Sequence, residues 1–537
     1  MPIDRVAVYT SETDWELSGF LGDNDDVTAN VDAEAGVSIS RGRDQSRGRG
    51  TGRVASYDET LLNTSRIYSA EFPGSPLAGH LLPGRPKRFG VTIGNTSVML
   101  DDPDVLMDDP DTLVDGTASV DLFTGSLDEI EQQPALGTRR VAVRALGSML
   151  KLRGRRISTS LMQSTTTGAA VVAAFQAAGL ASSEYDVDSD MITNGRNLAY
   201  WYADDEDLYD VISRLVLDTE GYPAAFYERG DGTIAVEGRN YRTLTDRCQT
   251  VQGTFADTTA DGEAEMDDAG VLIDDPRTFL DGGTSALFHI GVRYTPGIRD
   301  VINAATQEVV TRTAQTSAAI WTYGQTVTLD ASGSAEVTAH PNDPFLNAIT
   351  PVVTTDFTLS AGTVTVALSR TSGGSTTISF SGGTPSATIT SLQLRAQSYT
   401  ATSTVRVPNT LDTSDSQTAY GVRSAQLNGW PGLTVVQAES LADGVCFAYG
   451  DPRPIIEVDL VNGSGNLLRQ IMQREVSDRI RVIEGHTGID LDLTIEQISH
   501  RIGVGRTHTV TFGCEKVVEA DWARYDVDLY GTGIYGQ

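Results

Sequence analysis

The sequence is short of lysine and cysteine. Only three lysines occur, at positions 87, 151 and 516, so 37 of the 40 basic residues are arginine, a bias that codon usage in a GC-rich genome explains. None of these lysines is followed by Ser or Thr, which excludes a phosphate-binding P-loop. The three cysteines, Cys248, Cys446 and Cys514, are too few and too widely spaced for a disulfide framework or a Cys-rich zinc site.

Other signatures are absent as well. No run of about 18 apolar residues is present, so we expect no membrane insertion by this chain. The start, MPIDRVAVYT, lacks the basic head and apolar core of a secretory signal. Gly-x-Ser-x-Gly and His-Glu-x-x-His are missing, and no glycosidase-type carboxylate pair stands out among 72 acidic residues. We therefore expect no enzyme, no catalytic residues, no cofactor and no metal.

The charge that is present is strongly negative. The net charge is −32, which disfavours nonspecific binding to DNA phosphates. Two acidic segments, DDPDVLMDDPDTLVDG at 101–116 and the carboxylates of 257–268, could bind calcium, but their spacing is irregular and we interpret both as loops. An arginine-rich segment, RGRDQSRGRGTGR at 41–53, could grip nucleic acid; a solvated loop or pairing with an acidic surface is the preferred interpretation.

The length and the many Thr, Ser and Val residues predict a mainly β, multidomain (α+β) protein. We expect two β-barrel domains, a small α/β domain and a β-sandwich-like domain. The expected boundaries are 1–145 for an N-terminal barrel completed by 241–309, 146–240 for the α/β domain, 310–407 for the sandwich, and 408–537 for a linker helix and the C-terminal barrel.

The α/β domain is predicted from two helical patterns and a hairpin. A small-residue helix follows Thr167 and stops at Gly179, and an acidic start at Asp204–Asp207 opens a second helix. Arg229–Gly232 is the expected hairpin turn. In 310–407, short runs such as Val364–Leu368 recur about every dozen residues between glycine turns, which is typical of a sandwich.

The last strand-rich stretch, 478–515, has the clearest pattern. Ile489, Leu491, Leu493 and Ile495 alternate with polar residues, which predicts one apolar and one wet face. The acidic residues of the wet face, Asp490, Asp492 and Glu496, are candidates for a channel wall or a subunit contact. His500 and His508 could face each other across a hairpin, but a zinc site would need a third ligand, so we expect no metal role.

Several stretches resemble minor tail proteins of long, non-contractile-tailed bacteriophages, in particular the baseplate-hub or tail-tip family. They are spread along the chain and each is weak alone; their order carries the resemblance. Residues 310–407 match less clearly. The stretches are GTGRVASYDETLLNTSRIYS with SPLAGHLLPGRPKRF, LDTEGYPAAFYERGDGTIAVEGR, TSDSQTAYGVRS with its Ser416, Tyr420, Gly421 and Arg423, and SDRIRV followed by TIEQISHRIGVGRTHTVTFGCE.

The resemblance implies a structural virion protein at the tail tip. It implies a homotrimer whose two barrels per chain form a six-fold-like ring that continues the tail tube and lets DNA pass without specific binding. It also implies contacts with the distal tail protein, the tape-measure protein, and tail fibre or central tip proteins. Some family members carry a lytic or receptor-binding extension; this chain stops about 22 residues after Glu515, so we expect none.

Two other functions stay open at this point. The first is a β-rich surface adhesin or carbohydrate-binding protein, which exposed aromatic residues in 310–407 would favour. The second is a hydrolase, which would need a cleft with converging carboxylates.

Overall fold

The N-terminal domain is a six-stranded antiparallel sheet wrapped around its own core. The computed structural model describes residues 7–44, 51–93, 118–135, 138–257, 287–297, 301–330, 332–369, 372–382, 386–463 and 465–517. The strands are β1 (Ala7–Thr13), β2 (Val37–Asp44), β3 (Thr51–Leu62), β4 (Pro86–Ile93), β5 (Ala118–Ala135) and β6 (Thr138–Gly147). They are ordered β1-β4-β5-β6-β3-β2. Tyr57, Phe89 and Phe123 fill the core, since the alternate residues of each strand face inward, and Trp15, which follows β1, packs in the same core.

The α/β domain follows. Its strands are β7 (Arg156–Ile157), β8 (Met162–Thr166), β9 (Tyr185–Val187), β10 (Asn197–Trp201), β11 (Glu206–Asp207), β12 (Ala225–Glu228) and β13 (Ile234–Glu237). Its helices are α1 (Thr167–Ala177), α2 (Ser189–Asn194), α3 (Leu208–Ser213), α4 (Tyr241–Leu244) and α5 (Asp246–Gln249). A π-helical segment, Arg214–Glu220, continues α3.

Local capping residues explain where helix α1 begins and ends. The Thr166 hydroxyl accepts the Ala169 N–H and so caps the first turn. Gly179, with a φ of +72°, turns the chain away after the last turn. The two predicted helices and the β12–β13 hairpin are confirmed, and Asp207 caps α3 by accepting the Tyr209 N–H.

The C-terminal β domain contains strands from two distant parts of the chain. Three come before the central insertion: β14 (Thr254–Ala256), β15 (Leu287–Phe288) and β16 (Gly291–Pro296). We expected 241–309 to complete the N-terminal barrel, and the strand pairing differs. Strands β14 and β16 lie beside C-terminal strands, because Phe255 packs in a core with Phe512, the ring centroids 6.3 Å apart.

The central insertion is a long ribbon that carries a small sandwich. Its strands are β17 (Ala304–Ala314), β18 (Ala318–Tyr323), β19 (Val327–Leu329), β20 (Ser334–Ala339), β21 (Phe345–Ile349), β22 (Thr358–Leu359), β23 (Val364–Ser369), β24 (Thr376–Gly382), β25 (Ala387–Thr390) and β26 (Leu392–Pro408). Strands β19-β25-β22 and β20-β24-β23 form two three-stranded sheets around a shared apolar core. Strand β17 pairs along nearly its whole length with the second half of β26, and the first half of β26 pairs with β18 and β21.

The elements after the insertion lead the chain back to the α/β domain and to the C-terminal β domain. They are α6 (Ser414–Tyr420), β27 (Ser424–Leu427), α7 (Val435–Tyr449), β28 (Pro454–Val461), α8 (Gly465–Gln473), β29 (Arg479–Glu484), β30 (Ile489–Ile502) and β31 (His508–Lys516). The expected linker helix, α7, packs into the α/β core: Leu441 and Val445 share a cluster with Phe175 and Trp201. The mainly β, multidomain fold class is confirmed. Among the described residues, no helix has the length and apolar content to cross a membrane.

Candidate functional site

Strand β30 belongs to both β domains. Its first half, Ile489–Thr494, pairs with β29, and its second half, Gln497–Ile502, pairs on the same edge with β2. Its other edge pairs with β31. The two domains are thereby joined into one 13-stranded sheet. The β2–β30 pairing is the joint that sets how the domains lie relative to each other.

Two bulges meet at this joint. The register of β30 against β31 shifts at Glu496, and that of β2 against β3 shifts at Arg41. A bulge re-aims a side chain and sharpens the local twist. Between them lies Gly42, with a φ of +112°, where a Cβ atom would stand 2.5 Å from the Glu496 carbonyl oxygen. Only glycine lets the two backbones come this close.

The bulge turns Glu496 inward, where it is fully buried. Its carboxylate accepts hydrogen bonds from Arg43 Nη1 and from Arg242 Nη1, each at 2.6 Å. Burial alone would raise the pKa of Glu496, but Arg242 and Arg43 hold it below its usual range. The expectation that Glu496 shares the wet face of β30 is therefore wrong, because the bulge breaks the alternation that predicted it.

More buried polar groups surround this contact. Arg41 pairs with Glu475, and Arg242 also donates to Ser477 Oγ at 3.1 Å. Ser477 Oγ and Tyr227 O–H, the latter at 2.7 Å, donate to Glu237. Burial raises the pKa of Glu237. We call the set the charged junction; its members are Arg41, Arg43, Tyr227, Glu237, Arg242, Glu475, Ser477 and Glu496.

The charged junction ties three parts of the chain together. Arg41 and Arg43 come from β2, Glu237 and Arg242 from the α/β domain, and Glu496 from β30. A buried charge that loses its partner is costly, by about 3–5 kcal/mol. A change in the orientation of the two β domains or the α/β domain would separate these buried charges from their partners, so the charged junction fixes that orientation.

A chain of three side chains bridges the domains nearby. The Tyr9 hydroxyl of β1 lies 3.1 Å from His508 Nδ1, and His508 Nε2 lies 3.0 Å from His500 Nδ1. The prediction that the histidines face each other is confirmed. Burial lowers the pKa of His508 to about 4, and burial, His508 and Arg41 together hold the pKa of His500 well below its usual range.

The core of the N-terminal domain holds one more buried pair. Lys87 Nζ contacts the Glu59 carboxylate and donates to Ser11 Oγ at 2.7 Å. Tyr57 O–H donates to the same carboxylate at 2.6 Å. Burial lowers the pKa of Lys87 despite the attraction of Glu59. One of the chain's three lysines is thus used inside a core.

The other sequence candidates are distributed as follows. Asp490 and Asp492 pair with Arg481 and Arg479 on the outer side of the β29–β30 hairpin. The segments 101–116 and 258–268 and the arginines at 47 and 49 lie outside the described residues. Cys248, Cys446 and Cys514 are buried, and none of the three forms a disulfide bond. Within the described ranges, no group of three His, Cys, Asp or Glu side chains could hold a metal ion.

Most aromatic residues of the insertion pack in the core of the sandwich, and Tyr399 packs against Tyr200 of the α/β domain. Phe345, Phe357, Phe380 and Tyr399 are buried. Trp321 stacks on Tyr323, and both pack against the sandwich core. This arrangement does not favour the carbohydrate-binding alternative.

Sequence reasoning missed the charged junction because its members lie far apart in sequence. Arg43 and Glu496 are separated by more than 450 residues, and nothing local marks either as a buried partner. The one local signal is Gly42 within a β pattern, since a glycine inside a strand often marks a bulge or a close backbone approach.

Comparison with known proteins gives similarity of structure and none of sequence. No family model and no curated protein matches. The chain is similar to the tail protein from Neisseria meningitidis MC58, with TM-score 0.46 and 7% identity over 96% of this chain and 98% of that chain. It is similar to the 43 kDa tail protein of prophage MuSo2 from Shewanella oneidensis, with TM-score 0.45 and 9% identity over 96% and 98%. It is similar to prophage tail protein gp18 from Listeria monocytogenes EGD-e, with TM-score 0.39 and 9% identity over 94% of each chain. Because TM-scores and identities are both low, these similarities carry no argument for function.

Proposed function

We propose that the chain is a structural protein of the tail tip of a long-tailed bacteriophage, the baseplate hub. Three copies form a ring that continues the tail tube and encloses the channel for DNA ejection. The observation that carries this proposal is the β2–β30 joint, which places two β domains side by side in one continuous sheet. Three such chains supply six domains, the number that a ring matched to a six-fold-like tube needs.

The stretches that resemble the hub family support the proposal by their position. TGRVASYDETLL coincides with β3, SDRIRV overlaps β29, and TIEQISHRIGVGRTHTVTFGCE overlaps β30 and β31. These strands build the joint or flank it. The resemblance therefore falls on the elements that would have to keep their geometry in a ring.

A ring under a tail tube needs a fixed angle between its two domains in every copy. Backbone pairing between β2 and β30 sets the relative orientation of the two β domains. The charged junction opposes sliding of one strand along the other, because any shift would separate Arg43 and Arg242 from Glu496. The chain suits a static connector better than a hinge.

The charge suits a channel for DNA. At a net −32 per chain, an acidic wall would repel phosphates and let the duplex slide without sticking. Asp490 and Asp492 are each paired with arginine, so they add less net charge to such a wall than expected from the sequence. The partners that follow from this role are the distal tail protein, the tape-measure protein, and tail fibre or central tip proteins. No catalytic role is included.

The test is assembly of the full chain. Purified protein should have a mass about three times the 57.4 kDa of one chain by light scattering, and electron microscopy should show a three-fold ring with a central hole. Gold-labelled antibody against the protein should bind virions at the tail tip. A monomer at all concentrations together with label elsewhere on the particle would overturn the proposal.

A further inference from the structure

The bridge formed by Tyr9, His508 and His500 has a property that a structural hub does not need. It is a chain of polar groups between two domains, and its two histidines are buried. Tyr9 stands on β1 and stacks on Phe89 in the N-terminal domain, with ring centroids 6.2 Å apart. Both histidines belong to the C-terminal β domain, and both are buried. The bridge is therefore a second contact between the domains, separate from the charged junction.

The surroundings of the two rings offer little support for a positive charge. Tyr9 from β1, Arg41 from β2 and Arg506 from the turn after β30 face the bridge. Arg41 disfavours a charge on His500, and its own partner is Glu475. Among the described residues, the hydrogen bonds of both rings lead to each other and to Tyr9, and none leads to a carboxylate. His500 Nε2 is buried without a partner in that part of the chain.

The bridge can hold one proton in each of its contacts. A single added proton can be placed by reversing the hydrogen bonds along the chain, so that His500 carries it and His508 accepts. A second proton puts an N–H on both nitrogens of the 3.0 Å contact between the rings, where two donors face each other. Two cations would then lie side by side in a buried site near Arg41, and each is strongly disfavoured there.

We propose that the Tyr9–His508–His500 bridge is an acid-sensitive contact, which releases β1 from the C-terminal β domain when both histidines gain protons. The direction follows from the histidine pKa values, which are depressed in the closed bridge. The bridge is at full strength above the ordinary histidine pKa of 6.5 and weakens as the pH falls toward 4. This inference concerns a single chain and does not rest on the proposed function.

The test is hydrogen exchange of the full chain at pH 7.5 and 5.0, corrected for the intrinsic effect of pH on exchange. If opening frees His508 alone, the opening equilibrium of β1 rises about thirtyfold at pH 5.0, and more if His500 is freed as well. Helix α1 is the internal reference and should change much less. Equal protection of β1 at both pH values, or an equal loss in α1, would overturn the proposal.

Variants separate this bridge from general acid destabilisation. We call the rise in β1 opening from pH 7.5 to pH 5.0 the pH step. His500→Gln/His508→Gln keeps polar groups in place but binds no protons, so most of the pH step should disappear. Tyr9→Phe cuts the bridge at its first bond and leaves both histidines; β1 should then open more at pH 7.5, with a smaller step. His486→Gln, in an exposed turn, is the control and should leave the step unchanged. A full step in the double variant or in Tyr9→Phe would contradict the proposal.

Discussion

Arg43 and Glu496 form a buried ion pair across the joint between the two β domains, with 2.6 Å between Nη1 and Oε2. Arg43 lies near the end of β2, after its bulge, and Glu496 lies at the bulge of β30. Arg242 of the α/β domain shares the same carboxylate. One glutamate therefore holds three domains.

Glu496→Gln should destabilise the protein strongly. The change removes the carboxylate that the two buried guanidinium groups of Arg43 and Arg242 share, and removing one partner of a buried ion pair costs about 3–5 kcal/mol. Urea unfolding should show a lower midpoint. Asp490→Asn is the matched control, because its pair with Arg481 is about half exposed on both sides and a surface pair contributes little. Equal effects of the two variants would show that the junction does not hold the joint.

Gly42→Ala should also weaken the joint, for a steric reason. Its Cβ would meet the Glu496 carbonyl oxygen at 2.5 Å and Gln497 Cα at 2.9 Å. Gly84→Ala is the control: its φ is +81°, and no atom lies within 4 Å of the added Cβ. Gly84→Ala should cost about 1–2 kcal/mol through backbone strain alone. A melting temperature of Gly42→Ala no lower than that of Gly84→Ala would contradict the close approach of β2 and β30.

These two positions also show how far the sequence leads. The alternation of 489–495 is a local signal, and it predicts strand β30 and its core-facing residues, since one apolar face is buried wherever a strand packs. The bulge at Glu496 depends on β2, whose residues lie more than 450 positions away, so no local pattern marks it. The same reason applies to β14–β16, whose short apolar runs fit either β domain. Only the pairing partner decides which one they join.

Glu228 should make stability depend on pH near neutrality. It is buried against the N–H groups of Ser148 and Met149, and burial raises its pKa to about 7. A raised carboxyl pKa favours folding at low pH, and this contribution is lost as the pH rises from about 4.5 to 7. The loss is of the order of 3 kcal/mol. The buried His500 and His508 contribute with the opposite sign over the same range, so the readout is the difference between the unfolding curves of the wild type and Glu228→Gln. Relative to the variant, the wild type should lose unfolding free energy as the pH rises from about 4.5 to 7. An unchanged difference over this range would contradict the assignment.

Lys87 and Glu59 should behave as a coupled pair. Lys87→Met leaves the buried Glu59 carboxylate without its cation, with the hydroxyl groups of Tyr57 and Ser11 still donating to it, and should cost about 3–5 kcal/mol. Glu59→Gln should also destabilise, since it leaves the ammonium group unpaired. The double variant Lys87→Met/Glu59→Gln should cost clearly less than the two single losses together. Additive losses in urea unfolding would mean that the two side chains act independently.

Asp204 should hold the insertion against the α/β domain. Its Oδ1 accepts hydrogen bonds from Ser372 Oγ at 2.7 Å and from Ser375 Oγ at 2.6 Å. The loop between these serines sits tightly on the domain: Gly373 N–H donates to the Thr159 carbonyl at 2.8 Å, and a Cβ on Gly373 would stand 2.5 Å from Tyr202 Cγ. The sandwich has its own core, so undocking need not unfold it.

Asp204→Ala should therefore free the loop 372–375 while the sandwich stays folded. Hydrogen exchange should rise by about tenfold or more in that loop, because exposed backbone bonds open easily, and little in β24, whose centre is buried. Ser372→Ala/Ser375→Ala removes the donors instead of the acceptor and should give the same result. Asp415→Ala, at the exposed start of α6, should leave the loop unchanged. If the loop stays protected in Asp204→Ala, then shape complementarity at Tyr202 is enough to dock the insertion, and the hydrogen bonds to Asp204 are not what holds it.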